Sequence, residues 1–271
     1  MDTGANLSTI SESYAQKLGM SIREASVEVN TATGMKLRTR MAVADKFDVG
    51  GLEFENVVFL VLPDDQLAFE EVGYSIKGIV GFPIIHQMRE LRIGREHITI
   101  PSKPTPSHLG NLCLEGLMPV IKARARDEEL IFTFDTGATR SELSRRYFDR
   151  HRQWIESEGE LLTARRGGGG GMVDAENYFI DDFTLEIGTA EVTLPQIGVS
   201  LENYLFNEDK DGNMGQDVFM RFDETVICFE YMYVDLMNYE NGSRDGEAGK
   251  TGMEQETLSE PSDIIDNSVC G

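Results

Sequence analysis

The sequence predicts a mainly β protein with two similar halves, few short helices and a disordered acidic tail. A thirteen-residue segment that begins at Asp2 recurs at Asp135, 133 positions later, with seven identical residues. Short apolar runs rich in β-branched and aromatic residues alternate with turn residues, which is typical of strands. From Asn238 onward, eight acidic and two basic residues occur with almost no apolar periodicity. Such a segment cannot bury enough surface to offset its ordering entropy.

The predicted elements follow from local patterns. A short helix is expected after each Asp-Thr-Gly, with Ser11 and Ser144 as N-caps and Gly19 as the stop of the first helix. The apolar runs predict strands at 57–62, 118–124, 130–134 and 183–187. Strands therefore dominate the prediction.

The domain organisation follows from the repeat and from one proline-rich segment. Residues 101–110 contain three prolines within six positions, which favours an extended linker. We predict an N-terminal lobe at 1–100, a linker at 101–110, a C-terminal lobe at 111–236 and an acidic tail at 237–271. Since both lobes belong to one chain, a monomer is expected.

Composition excludes two classes of protein. The 271 residues carry 47 acidic and 25 basic side chains, a formal charge of −22, and this excess of carboxylates repels nucleic-acid phosphates. The longest apolar run, 57–62, is far shorter than the ~20 residues that cross a bilayer. We therefore expect no nucleic-acid partner and no membrane span.

The repeat continues downstream of both motifs. Residues 77–85 match 211–219 at an offset of 134. Asn213 stands where the first half has an apolar residue, which is expected to weaken the second half slightly. The paired positions are Val80-Gly81 with Met214-Gly215, and Thr33-Gly34-Met35 with Gly170-Gly171-Met172. We interpret this repeat as an internal duplication, in which one fold unit is used twice.

These motifs resemble those of the aspartic proteases. The shared pattern, in chain order, is Asp-Thr-Gly-Ala, a Gly-containing hairpin and an apolar-apolar-Gly segment. Alanine at the fourth position of both motifs resembles the retropepsin type, in particular bacterial two-lobed retropepsin-like proteins. The resemblance covers nearly all of residues 2–236. It implies two retropepsin- or pepsin-like β-barrel lobes.

The resemblance implies an aspartic endopeptidase with Asp2 and Asp135 as its catalytic pair. Two carboxylates in one site cannot both ionise cheaply, so the pair holds one proton over a useful pH range. One carboxylate then accepts a proton from an attacking water while the other donates to the scissile carbonyl. The implied partner is a peptide or protein substrate, and no cofactor or metal is implied.

The resemblance also implies roles for the neighbours of the pair. Thr3 and Thr136 would form hydrogen bonds between the lobes, and Gly4 and Gly137 would let backbone pass close to the carboxylates. The other assigned residues are Ala5 and Ala138 in the catalytic loops, Val80, Gly81, Met214 and Gly215 beneath them, and Thr33, Gly34, Met35, Gly170, Gly171 and Met172 in two flaps. The alternative for the five-glycine run is a flexible surface loop.

Ala5 and Ala138 carry a prediction about pH. Without a hydroxyl there, each carboxylate has one fewer donor that stabilises its ionised form, so its pKa should rise. We expect an activity optimum nearer mildly acidic or neutral pH than that of pepsin.

Two questions stay open on the sequence alone. Only Met1 precedes Asp2, whereas a predicted hairpin precedes Asp135, so we expect the first half to lack its first strand and the chain to be a fragment or to begin at an internal methionine. A signal peptide lost with that start would fit a periplasmic or secreted protein; the compartment is not determined. The alternative function is an inactive or truncated retropepsin-like module that binds peptides. Retention of both motifs favours the enzyme.

Overall fold

The computed structural model describes residues 1–30, 36–69, 73–168, 171–203 and 209–239. This part of the chain is mainly β with few short helices, which confirms the predicted fold class. In the first half the strands are β1 Ser8–Ser11, β2 Ile22–Asn30, β3 Lys36–Val49, β4 Leu52–Leu62, β5 Ala68–Phe69, β6 Tyr74–Ser75, β7 Gly78–Ile79, β8 Glu90–Gly94 and β9 Ile98–Thr99. The helices there are α1 Glu12–Lys17 and α2 Phe82–Gln87, with a 3-10 turn at Asp64–Leu67.

The second half contains the longest strand and the longest helix of the described residues. Its strands are β10 Leu112–Glu115, β11 Met118–Ala125, β12 Glu128–Phe134, β13 Glu142–Leu143, β14 Glu160–Gly168, β15 Gly171–Ile187, β16 Ala190–Ser200, β17 Gly212–Met214, β18 Glu224–Cys228 and β19 Tyr233–Met237. Its helices are α3 Arg145–Glu158 and α4 Gln216–Phe219. The predicted acidic tail begins inside β19, and its residues 240–271 lie outside the described residues.

Two sheets repeat one strand order. The first sheet runs β2-β3-β4-β1-β7, with β1 parallel to β4 and antiparallel to β7. The second runs β14-β15-β16-β13-β17 and continues through β12, β11 and β10. Here β13 is parallel to β16 and antiparallel to β17, so the pairing directions match as well. The second sheet is therefore the first arrangement with three added strands.

A third sheet joins the two halves. Its order is β19-β18-β8-β9, and the antiparallel pair β8–β18 sets Leu91 opposite Ile227. Arg89 and Glu230 extend this contact with two hydrogen bonds of 2.6 and 2.7 Å. Residues 101–110, between the halves, form neither helix nor strand. The halves thus share backbone hydrogen bonds, while the exact division into lobes stays a prediction.

Both predicted N-caps are confirmed. The hydroxyl of Ser11 accepts from the backbone N–H of Tyr14, and that of Ser144 accepts from the N–H of Tyr147. Each bond satisfies one N–H that the first helical turn leaves without a partner. Gly19 follows α1 with φ of +67°, the left-handed conformation that commonly ends a helix. The helix after the second motif, α3, was predicted to be short but has 14 residues, with a kink at His151.

The core is built from apolar side chains of both halves. β12 supplies Leu130, Phe132 and Phe134, each fully buried. β4 begins five residues before its predicted apolar run, because polar residues interrupt the apolar ones there. Phe54 and Val57 are buried, whereas Glu55 and Asn56 between them are exposed. Within the described ranges, no helix is long and apolar enough to cross a membrane.

Candidate active site

Two Asp-Thr-Gly-Ala loops lie at equivalent places in the two halves. The N–H of Asp2 donates to the carbonyl of Val80 at 2.9 Å, and the N–H of Asp135 donates to the carbonyl of Met214 at 3.0 Å. Asp2 also forms an isolated parallel bridge with Gly81. Each loop therefore rests on the segment that leads into a short helix, α2 or α4.

Each loop binds its own carboxylate with two backbone N–H groups. Oδ1 of Asp2 accepts from Gly4 at 2.8 Å and from Ala5 at 3.1 Å. Oδ1 of Asp135 accepts from Gly137 and Ala138 at the same two distances. These bonds fix Oδ1 of each carboxylate and leave the Oδ2 atom of each for other contacts.

The two loops are hydrogen-bonded to each other. The N–H of Thr3 donates to Oγ1 of Thr136 at 3.0 Å, and the N–H of Thr136 donates to Oγ1 of Thr3 at 2.9 Å. The Thr3 hydroxyl in turn donates to the carbonyl of Phe134 at 2.6 Å. Both threonines are at least nine-tenths buried, so this network is shielded from water and holds the loops in register.

The glycines of the motifs explain how closely the carboxylates approach. A Cβ added at Gly4 would overlap the carboxylate of Asp135, and one at Gly137 would overlap that of Asp2. Each glycine thus lies against the carboxylate of the other half. Only a residue without a side chain leaves room for this arrangement.

Proximity and burial change the acidity of Asp2. Burial, the charge of Asp135 and a hydrogen bond with Asp135 raise the pKa of Asp2 from 3.8 to about 6. A carboxyl that holds its proton up to mildly acidic pH, beside a second carboxyl, can donate that proton to a bound group.

The residues beneath the loops pack as the repeat suggests. Gly81 and Gly215 are buried, and a Cβ at either would strike the backbone of the loop above it. Met214 is fully buried, whereas Val80 is half-buried. The side chain beneath the loop is therefore more exposed in the first half than in the second.

Sequence reasoning missed two serines that tie these segments to the loops. The N–H of Gly81 donates to Oγ of Ser8 at 3.0 Å, and the N–H of Gly215 donates to Oγ of Ser141 at 2.9 Å. Both serines occupy the seventh position of the repeated motif. Their identity in the two copies was the signal that could have found them.

The second loop carries polar contacts for which the repeat has no signal. The Ser141 hydroxyl donates to Asp217 at 2.6 Å, and the side-chain amide of Gln216 donates to the carbonyl of Thr136 at 2.8 Å. The amide of Asn213 lies 3.4 Å from Oδ2 of Asp135. The matching positions in the first half are Ile79, Phe82 and Pro83, which have no polar side chain.

The described residues that flank the two predicted flaps pair as antiparallel strands. β2 and β3 pair up to Asn30–Lys36, and β14 and β15 pair up to Gly168–Gly171. Gly171 and Met172 lie in β15, so part of the glycine run belongs to a strand ladder. The predicted flap residues Thr33, Gly34, Met35 and Gly170 lie outside the described residues. Among the residues that are described, no group of three or more His, Cys, Asp or Glu side chains is placed to hold a metal ion.

Fold and site together define a mainly β protein in which two Asp-Thr-Gly-Ala loops bring a pair of carboxylates into contact. Residues 1–84 match the family model described as aspartyl protease. That range contains the first motif and the Val80-Gly81 segment beneath it. The match supports an aspartic protease family and a hydrolase that acts on peptides. A comparison with curated proteins finds no match.

Proposed function

We propose that the chain is an aspartic endopeptidase of two-lobed, retropepsin-like architecture, with Asp2 and Asp135 as its catalytic pair. The observation that carries this proposal is the cross-bonded pair of loops, in which Gly4 lies against one carboxylate and Gly137 against the other. Retention of two complete motifs also favours catalysis over a groove that only binds peptides. The lobe boundaries at 1–100 and 111–236, and a monomeric state, are part of the proposal.

The chemistry needs one proton on the pair. A water oxygen bonds to the scissile carbonyl carbon and gives a proton to the ionised carboxylate, while the protonated carboxyl gives its proton to the carbonyl oxygen. The resulting tetrahedral diol loses its C–N bond. The leaving nitrogen takes the proton that came from water, and a diol hydroxyl returns a proton to the other carboxylate. The pair ends with one proton, as it began.

The surrounding residues have defined parts in this proposal. Thr3 and Thr136 hold the loops together, and the N–H groups of Gly4 and Gly137 orient the carboxylates. The remaining supports are Ala5, Ala138, Val80, Gly81, Met214 and Gly215. Two flaps are proposed to cover a bound peptide, and they consist of Thr33, Gly34, Met35, Gly170, Gly171 and Met172.

The pH dependence follows from the state of Asp2. Because burial and Asp135 raise the pKa of Asp2 to about 6, the singly protonated pair persists to mildly acidic pH and is lost as the pH rises further. We expect cleavage to be greatest in the mildly acidic range. A rate that peaks below about pH 3 would contradict this.

Cleavage of a mixed peptide library between about pH 3 and 8 tests the function. The parent chain is compared with Asp135→Asn and Asp2→Asn, and with Asp64→Asn as a control. Asp64 is a suitable control because it bonds Ser13 on the surface and belongs to neither loop. Each pair variant should lose at least about 10³-fold in kcat/KM, whereas the control should keep its rate.

Two results would overturn the proposal. One is cleavage that survives in Asp135→Asn, because the water would then be activated elsewhere. The other is a folded parent, verified by circular dichroism, that cleaves no peptide in the library. In the second case, retention of library peptides by the uncleaving protein would favour the alternative of a peptide-binding module.

A further inference from the structure

One side chain distinguishes the surroundings of the two carboxylates. Asn213, half-buried in β17, places its side-chain nitrogen 3.4 Å from Oδ2 of Asp135. The buried Thr133 hydroxyl donates to the other end of the amide, its Oδ1. Because that oxygen accepts from Thr133, the NH₂ group is the end that faces the carboxylate.

The matching position in the first half offers no such donor. There the residue is Ile79, in β7, a hydrocarbon side chain. In the part of the chain that the structure describes, Asp2 has a hydrogen bond with Asp135 but receives no side-chain amide. Asp135 therefore accepts from Gly137, Ala138 and Asn213, whereas Asp2 accepts from Gly4 and Ala5.

We propose that Asn213 is a positioning residue that keeps Asp135 ionised and thereby assigns the shared proton to Asp2. A donor directed at a carboxylate favours its charged form, because the bond is stronger to the ion than to the neutral acid. This inference rests on the proposed function and deepens it. Asp135 becomes the base that takes a proton from water, and Asp2 becomes the acid that protonates the scissile carbonyl.

The electrostatics of Asp2 agree with this assignment. Its pKa is raised by burial first, then by the charge of Asp135 and a hydrogen bond with it. The N–H of Gly4 and the amino group of Met1 act in the opposite sense and more weakly. The net effect leaves Asp2 as the carboxyl that retains a proton into mildly acidic pH.

The test is titration of the ¹³C-labelled side-chain carboxyls of the folded protein, assigned with Asp2→Asn and Asp135→Asn. In the parent, the Asp2 signal should titrate near pH 6. In Asn213→Ile, the Asp135 signal should move up by about half a pH unit or more. The acid limb of kcat/KM should move in the same direction, which a general loss of structure would not produce.

Two further variants sharpen the test. Ile79→Val changes the matching position without removing a polar group, so both titrations should stay in place. Thr133→Val leaves Asn213 present but removes the hydroxyl that orients its amide. It should move the Asp135 signal in the same direction by a smaller amount, and it serves if Asn213→Ile fails to fold.

The titration needs no substrate, so it separates this inference from the proposed function. If no peptide is cleaved but Asn213→Ile still moves the Asp135 signal upward, the endopeptidase proposal fails and the electrostatic role of Asn213 stands. If peptides are cleaved and the signal does not move, the role of Asn213 is overturned. A downward movement would also overturn it, because the amide oxygen would then be accepting a hydrogen bond from a protonated Asp135.

Discussion

The two Asp-Thr-Gly-Ala loops have closely similar backbone hydrogen bonds, but the segments beneath them carry different side chains. Equivalent backbone bonds have closely similar lengths: the N–H of Asp2 to Val80 measures 2.9 Å and that of Asp135 to Met214 measures 3.0 Å. The N–H of Phe82 to Ala5 and that of Gln216 to Ala138 both measure 2.8 Å. The geometry that brings two carboxylates together is therefore a property of the repeated backbone.

The side chains around that backbone break the symmetry. The second half adds polar contacts from Asn213, Gln216 and Asp217, whereas the first half has Ile79, Phe82 and Pro83 in their places. A symmetric pair of carboxylates could hold its proton on either side. Unequal donors make one side preferable, which in the proposed mechanism gives acid and base separate locations before substrate binds.

After the loss expected on changing either carboxylate, the largest effect is expected from alanine at the motif glycines. Gly4→Ala and Gly137→Ala should each reduce kcat/KM by at least about 10²-fold, because each new Cβ overlaps the carboxylate of the other half. Peptide cleavage at mildly acidic pH measures the loss. Equal losses are expected, because the backbone is symmetric at this point.

Gly198→Ala is the matched control for those glycines. Its added Cβ, in β16, would meet only ordinary van der Waals neighbours, so its rate should stay within about twofold of the parent. A strong loss in one motif variant and none in the other would show that the two carboxylates do not face each other as described.

The next effect distinguishes the two threonines. Thr3→Val removes a donor to Phe134 and the acceptor for the N–H of Thr136, and should lower the free energy of unfolding by about 2 to 4 kcal/mol. Thr136→Val removes the acceptor for the N–H of Thr3 and a less buried, longer donor bond to the carbonyl of Met1, 3.2 Å. It should cost about 1 to 3 kcal/mol. Urea unfolding measures both.

Serine at each position provides the control, since it keeps the hydroxyl and should restore most of the lost stability. Because the two threonines belong to one network, the variant that combines Thr3→Val with Thr136→Val should lose less stability than the sum of the two single losses. Strictly additive losses would contradict a shared network.

The last expected effect, no larger than that of Thr136→Val, is a pH-dependent gain of stability in Asp2→Asn. The folded-state pKa of Asp2 is raised from 3.8 to about 6, so its contribution to stability is fully present below pH 3.8 and is lost as the pH rises through 6. Asparagine avoids this loss. Above pH 6 the variant should be more stable than the parent by on the order of 1 to 3 kcal/mol.

Asp64→Asn should change the stability at neutral pH in the opposite direction, to a lower free energy of unfolding. Its hydrogen bond with Ser13 lowers the pKa of Asp64, so the carboxylate contributes stability at neutral pH that asparagine would remove. Urea unfolding at pH 3.5 and at pH 7.5 tests both variants. If Asp2→Asn were less stable than the parent at pH 7.5, the raised pKa of Asp2 would be wrong.

Local features of the fold were predictable from sequence. Ser11 and Ser144 cap their helices because capping depends on residues within one turn. The apolar runs found β11 and β12 nearly whole but only the C-terminal ends of β4 and β15. The earlier residues of β4 and β15 mix polar and apolar side chains, so they form no continuous apolar run.

Long-range features were not predictable in this way. The β8–β18 pairing joins strands from opposite halves of the chain, and neither strand carries a sign of its partner. Asn213 stood out in the sequence as a departure expected to weaken the second half. The structure instead sets its amide toward Asp135, because a parallel pairing brings it beside Thr133.

The sequence by itself determined the mainly β class, the two helix starts and the repeated motifs, since these depend on neighbouring residues and on local periodicity. The tertiary structure decided which groups meet: Gly4 with Asp135, Gly137 with Asp2, and the amide of Asn213 with one carboxylate of the pair. The raised pKa of Asp2 belongs to the same category. Burial and a neighbouring charge produce it, and both exist only after segments from the two halves of the chain have packed together.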